Sequence, residues 1–210
     1  ILPFLVKQQQ KKAFLPYNFL PNEVDKTTIT EAYFHISDPT TTATVISAGN
    51  SDYEPIYFEM IGTAAHFYTT GQVYYCSAFQ CSFEGWESLR HLDLSMFDVS
   101  ESYSMGASFA NCYSLQSLNL SSFNTSNVEY FRTMFYNCVN LRSLDVTNFD
   151  TSKAVDMQGM FRNCKSLTSL DVSGFNTNAV TDFSSMFFGC SGLNQLNVSY
   201  FDTSNATNLY

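Results

Sequence analysis

Four thiols, Cys112, Cys138, Cys164 and Cys190, recur at an interval of 26 residues. Thiols in one file suggest disulfide exchange, soft-metal binding, or burial as small apolar groups. Side chains repeated in register point the same way, which is poor geometry for a bridge, so the file reads as a buried structural ladder. Cys76 and Cys81 stand apart in a Cys-x4-Cys spacing that leaves a local disulfide open, and they lack the neighbouring ligands zinc needs. His35, His66 and His91 are far apart in sequence and fall in no HExxH or Cys/His spacing, so each reads as a packed or surface histidine. There is no GxSxG elbow and no glycine-rich phosphate loop. No catalytic residue, metal site or cofactor is expected, and the chain reads as not an enzyme.

Carboxylates and amides form two further files at the same interval. One runs Asp93, Asn119, Asp145, Asp171, Asn197; the other runs Asp98, Asn124, Asp150, Asn176, Asp202. Such side chains close turns by accepting from backbone amides two residues on. The competing chemistry is shared oxygen ligation of Ca²⁺, although no GGxGxD signature accompanies it.

These residues must be positioned by repeated elements. Leu89, Leu115, Leu141, Leu167 and Leu193 keep the 26-residue interval, as do Phe97, Phe123, Phe149, Phe175 and Phe201. A fixed period of this length means stacked units that bury apolar faces against their neighbours. In the unit Phe109–Met134, Leu118 and Leu120 are two apart, so a short strand is expected there. Val128, Phe131, Met134, Phe135 and Cys138 step by three, three, one and three, which predicts a helical stripe. The expected fold class is α/β: a leucine-rich repeat solenoid with short parallel strands on one face and helical turns on the other, carrying a small β-rich N-terminal cap. Residues 1–82 form that cap and residues 83–210 hold about five repeats. Within the cap, strands are expected over Ile29–Ile36, Thr44–Ile46, Ile56–Ile61, Ala65–Tyr68 and Gln72–Cys76, separated by turn residues such as Asp38-Pro39 and Gly49-Asn50.

The pattern MFxNCxxLxSLDxxxFDTS is met almost verbatim over Met134–Ser152 and Met160–Asn178. It resembles the leucine-rich repeat superfamily and, more narrowly, the 26-residue surface-protein repeat of the BspA-like and DUF285 group. The first unit departs from it, with Trp86 in place of Cys and Ser82 in place of Met. The resemblance implies a cell-surface location, secreted or lipoprotein-anchored, and partners that are extracellular host proteins, glycans or neighbouring cells.

Composition bounds the alternatives. The net charge of −9 and the absence of a basic cluster beyond Lys11–Lys12 exclude an electrostatic nucleic-acid binder. No apolar run is long enough to cross a bilayer. The outward strand positions, such as Ser117, Asn119, Ser143 and Asp145, are small, polar and mildly acidic. Candidate ligand contacts are therefore sought in larger exposed side chains beside them: Tyr113, Tyr136 and Arg142, with Asp145 and Asp171. The expected function is non-enzymatic adhesion or interaction with protein or glycan. The alternative is a structural spacer or stalk within a larger envelope protein.

Overall fold

Parallel pairing at the 26-residue interval builds the repeats. In the computed structural model, which describes residues 12–14, 20–47, 53–54, 56–70, 72–74 and 78–210, single bridges run Ala78–Ser104–Tyr130–Asp156–Asp182–Asn208. Equivalent residues of successive units therefore lie side by side, and each sequence file becomes a physical column. Phe83, Phe109, Phe135, Phe161 and Phe187 stack as near-parallel rings with centroids 5.6–5.8 Å apart. Leu89, Leu115, Leu141 and Leu167 are buried beside them, and so are Phe97, Phe123, Phe149 and Phe175.

The expected α/β class is not what forms. Among the described residues the only helix is a three-residue 3-10 turn, Lys26–Thr28. Its absence from the repeats follows from where the amides go. Met105, Ala107, Phe109 and Asn111 donate to the carbonyls of Tyr130, Arg132, Met134 and Tyr136 in the next coil, at 2.8–2.9 Å. The alternating residues Ser108, Ala110 and Cys112 donate back to Met105, Ala107 and Phe109. An α-helix needs every amide to reach four residues back. Here half of them leave for the neighbouring coil, and the rest close tight turns with a step of three. Such turns place apolar residues at the spacing of a helical stripe, and that is why the periodicity misleads.

The turns also need left-handed backbone at two fixed positions per unit. Cys81, Ala107, Thr133, Gly159 and Ser185 have φ between 53° and 57°; Gly85, Asn111, Asn137, Asn163 and Gly189 have φ between 62° and 75°. Asparagine and glycine tolerate this region, whereas a β-branched threonine is strained in it. Thr133→Gly is accordingly expected to raise stability by about 0.5–1 kcal/mol, read as a shift of the denaturant midpoint. A lower midpoint than the parent would show that the Thr133 side chain contributes more than its backbone costs.

Among the described residues there are ten strands: β1 (Lys12–Phe14), β2 (Glu31–Ile36), β3 (Thr44–Ser47), β4 (Tyr53–Glu54), β5 (Ile56–Ile61), β6 (Ala64–Thr69), β7 (Gln72–Tyr74), β8 (His91–Asp93), β9 (Phe97–Asp98) and β10 (Ser117–Asn119). One sheet has the order β4-β1-β7-β9 and is parallel throughout. The other is mixed, in the order β10-β8-β2-β6-β5-β3. Its first four strands are parallel, and β5 and β3 are antiparallel additions. Both sheets run across the expected boundary at residue 82. Chain order and layer order differ here, because β1 and β2 lie between β7/β8 on one side and β4/β6 on the other. Inward residues Ala32, Ile56, Phe58, Ala65 and Phe67 are buried. Phe34 stacks on Phe67 at 4.6 Å and meets Phe97 edge-on at 4.8 Å, which joins this region to the core of the repeats.

Candidate functional site

The outward positions of the mixed sheet carry chemistry that the repeats lack. Side chains alternate across a strand, so burying Ala32, Phe58, Ala65 and Phe67 turns Tyr33, His35, Tyr57, Glu59, His66 and Tyr68 to the opposite face. The register then sets Tyr33 beside His66, His35 beside Tyr68, Glu59 opposite His66 and Tyr57 opposite Tyr68. Glu31 pairs with His91 on the other side of β2. All three histidines of the chain thus occupy one sheet face. Sequence reading treated them singly because His35 and His66 are 31 residues apart. The available signal was the mirrored Tyr33-Phe34-His35 and His66-Phe67-Tyr68, each alternating a polar aromatic with a buried phenylalanine.

These side chains form one network. The ring centroids of Tyr33 and His66 are 5.0 Å apart, and those of His35 and Tyr68 are 4.7 Å apart. Glu59 accepts from Tyr68 Oη at 2.6 Å, from Thr40 Oγ1 at 2.8 Å and from Thr42 Oγ1 at 2.5 Å. The hydroxyls of Thr42, Tyr68 and Thr40 hold the Glu59 carboxyl below its ordinary value. Donation to the same carboxylate pushes the Tyr68 phenol up to about 12. Tyr33 Oη donates to Glu31, which raises that phenol as well. Tyr33 remains 43% exposed, and Val45 and Ile61 at the margins are 53% and 56% exposed.

The residues singled out from sequence do not converge in this way. Tyr113 is exposed and donates to Asn111 Oδ1 at 3.3 Å. Tyr136 lies in the column of Arg162, whose guanidinium is 5.9 Å from its ring and 4.9 Å from that of Phe188. Arg142 is exposed in a different column. Asp145 and Asp171 stand one coil apart and repel each other.

Both acidic files close turns. Asp93, Asn119, Asp145, Asp171 and Asn197 accept from the amides of Ser95, Ser121, Thr147, Ser173 and Ser199 at 2.9–3.1 Å. The second file does the same, from Asp98 to Ser100 through to Asp202 to Ser204. A third file at Asp156, Asp182 and Asn208 repeats the bond. Hydroxyl and amide donors hold the Asp145 and Asp171 carboxyls below 3.8. Stability from these acids is therefore full above that value and is lost as pH falls through their lowered values. Asn keeps the accepting oxygen, so Asp145→Asn is expected to move stability by no more than about 0.5 kcal/mol at neutral pH. Its melting temperature should not respond to calcium or chelator; a calcium-dependent rise in the parent that the variant loses would reinstate metal ligation. Among the described residues no three His, Cys, Asp or Glu side chains are arranged to hold a metal ion.

Cys112, Cys138, Cys164 and Cys190 are free thiols, the first three fully buried. Each Sγ–H donates into the preceding coil, to the carbonyls of Phe83, Phe109, Phe135 and Phe161 respectively, at 2.9–3.2 Å. Burial pushes the Cys112 thiol up to about 12 and the Cys138 thiol well above its ordinary value. Iodoacetamide at neutral pH should leave Cys112, Cys138 and Cys164 unmodified in the folded chain and alkylate them in denaturant. Rapid native alkylation of Cys138, mapped by mass spectrometry, would contradict that placement. The Cys76–Cys81 pairing left open above lies outside the described residues, because Cys76 is not among them.

No helix among the described residues is long and apolar enough to cross a membrane. The family model described as a Mycoplasma protein of unknown function, DUF285, matches residues 67–144 and 139–210. No curated protein and no solved structure matches the chain.

Proposed function

The chain belongs to the DUF285 family, and from that premise we propose a non-enzymatic cell-surface protein, kin to the BspA-like leucine-rich repeat proteins, that mediates adhesion through protein or glycan contacts. The observation that carries this reading is the outward face of β2, β6 and β5. Tyr33, Tyr57 and His66 combine apolar area with polar tips, the composition that recurs at contact hot spots, and the buried Tyr68 packs between them. The low Lys and high Ser, Thr, Asn and Tyr content fits an extracellular setting, secreted or lipoprotein-anchored.

Purified chain is tested against a panel of extracellular matrix proteins and glycans, with calcium and then with chelator. Tyr33→Ala combined with Tyr57→Ala should weaken specific binding by about tenfold or more, with Tyr113→Ala close to the parent. Equal binding by parent and double variant, with native folding confirmed by circular dichroism, would remove the face from the reading. A spacer role is the second reading. It draws on the coils, where one oxygen of each Asx side chain closes its own turn and outward strand positions such as Ser117, Ser143 and Ser169 carry small groups. Deleting residues 139–164, one whole coil, should then shorten reach and leave adhesion unchanged.

A further inference from the structure

The two central histidines of the face touch each other directly. His35 Nε2 and His66 Nδ1 are 3.0 Å apart, the ring planes are parallel within 1°, and the centroids are 5.3 Å apart. That centroid separation is close to the N···N distance plus one ring radius at each end, so the rings meet edge to edge in one plane. One nitrogen therefore donates its N–H into the other's lone pair. Neutral imidazoles can do this because one N–H is shared between two facing nitrogens. A first added proton can sit on an outward nitrogen or strengthen the contact as a charge-assisted bond. A second forces N–H to face N–H between two cations, and the contact must open.

The surroundings decide how the two protonations divide. Strand β5 brings the Glu59 carboxylate opposite His66, with Tyr57 opposite Tyr68, and β6 brings Tyr68 against His35. From β2, Tyr33 packs on His66 with Glu31 on its hydroxyl. Beyond β2 lie His91 and Asp93 of β8, with His91 Nδ1 2.7 Å from Ser117 Oγ. Thr40 and Thr42, from the loop before β3, complete the shell around Glu59. Among the described residues, the charges that act on His35 are His66 and Glu59. One carboxylate close to the pair supports one positive charge on it and leaves a second uncompensated. Burial first, and then His66, hold His35 below 6.5, against the opposing pull of Glu59. The folded state thus binds this proton less readily than the unfolded chain. The stability that His35 contributes is full above 6.5 and is lost as pH falls through its lowered value.

We infer that the His35–His66 contact is a proton-operated latch on this face, joining β2 to β6 while the pair carries at most one added proton and releasing Tyr33 and Tyr68 when it carries two. Its effect on adhesion rests on the reading of the face given above; the latch itself does not.

The test is a proton–carbon NMR titration of the histidine rings in the whole chain. His35 and His66 should titrate in two coupled steps separated by about one pH unit or more, with Tyr33 and Tyr68 ring signals moving in the second step. In His66→Gln, His35 should titrate in a single step displaced upward, because the facing charge is gone. Independent, single-step titration of both rings in the parent, or an unmoved His35 midpoint in His66→Gln, overturns the latch. His35→Gln provides the same comparison from the other side if the first variant does not fold. Where the panel yields a bound protein or glycan, affinity should fall about tenfold between about pH 7.5 and about pH 5 in the parent and less than about twofold in His66→Gln. Binding that ignores pH while the rings titrate in two steps would overturn its regulatory consequence. A panel with no binder would count against the adhesion reading, and the NMR result would still decide the latch.

Discussion

Phe135→Ala is expected to destabilise the protein by about 3–5 kcal/mol. The ring is fully buried and lies in the middle of the phenylalanine column, 5.6 Å from Phe109 and 5.6 Å from Phe161, with interplanar angles of 6° and 9°. Removing it deletes the transfer free energy of an aromatic side chain and leaves a cavity between two coils. The backbone around that cavity is pinned. The Phe135 amide donates to Met160 and its carbonyl accepts from Cys164 Sγ, so collapse into the space is limited. Urea unfolding followed through the single tryptophan, Trp86, and through circular dichroism measures the loss. Stacked repeats couple chiefly through adjoining units, so the two probes should separate in the variant, with the N-terminal side outlasting the C-terminal side. A loss below about 1 kcal/mol would mean that the column is loosely packed. Phe187→Ala, at a half-buried member of the same column, should cost less.

Asn137→Ala is expected to cost about 2–3 kcal/mol through two separable effects. Its backbone has φ 62°, where alanine is strained. Its side chain donates to Asn111 Oδ1 and accepts from Asn163 Nδ2, both at 2.9 Å, so one truncation breaks two rungs of an amide ladder. Asn137→Gly keeps the backbone freedom and loses only the ladder, so its cost should be the smaller of the two by about 1 kcal/mol. Equal losses in the two variants, measured by denaturant midpoint, would show that the left-handed backbone carries no strain. The ladder also accounts for the end of the column. At Gly189 an added Cβ would overlap Asn163 Oδ1, so glycine takes the place of asparagine there while keeping φ at 75°.

Particular residues show how far sequence reaches in this chain. The interval that relates Cys112 to Cys138, or Leu115 to Leu141, is the spatial period of the stack. It therefore determines which residues share a column. The DUF285 resemblance came from the same repeated letters. The turn-closing role of Asp145 and Asp150 was legible too, because an Asx side chain and an amide two residues away are a local pair. The class assignment failed at Val128, Phe131 and Met134. A chain of three-residue turns and an α-helix place these side chains alike, and the difference lies in amides that bond a residue one coil away. The histidine face was hidden for a related reason. Alternation along β2 and β6 is visible in sequence, but the pairing of Tyr33 with His66 is a register between strands about thirty residues apart. Spacing could determine turns, which are set within one unit, and columns, which follow from like units stacking at the repeat interval. Only tertiary structure could decide the destination of each amide and the neighbour of each histidine, because those bonds cross between segments that sequence proximity does not relate.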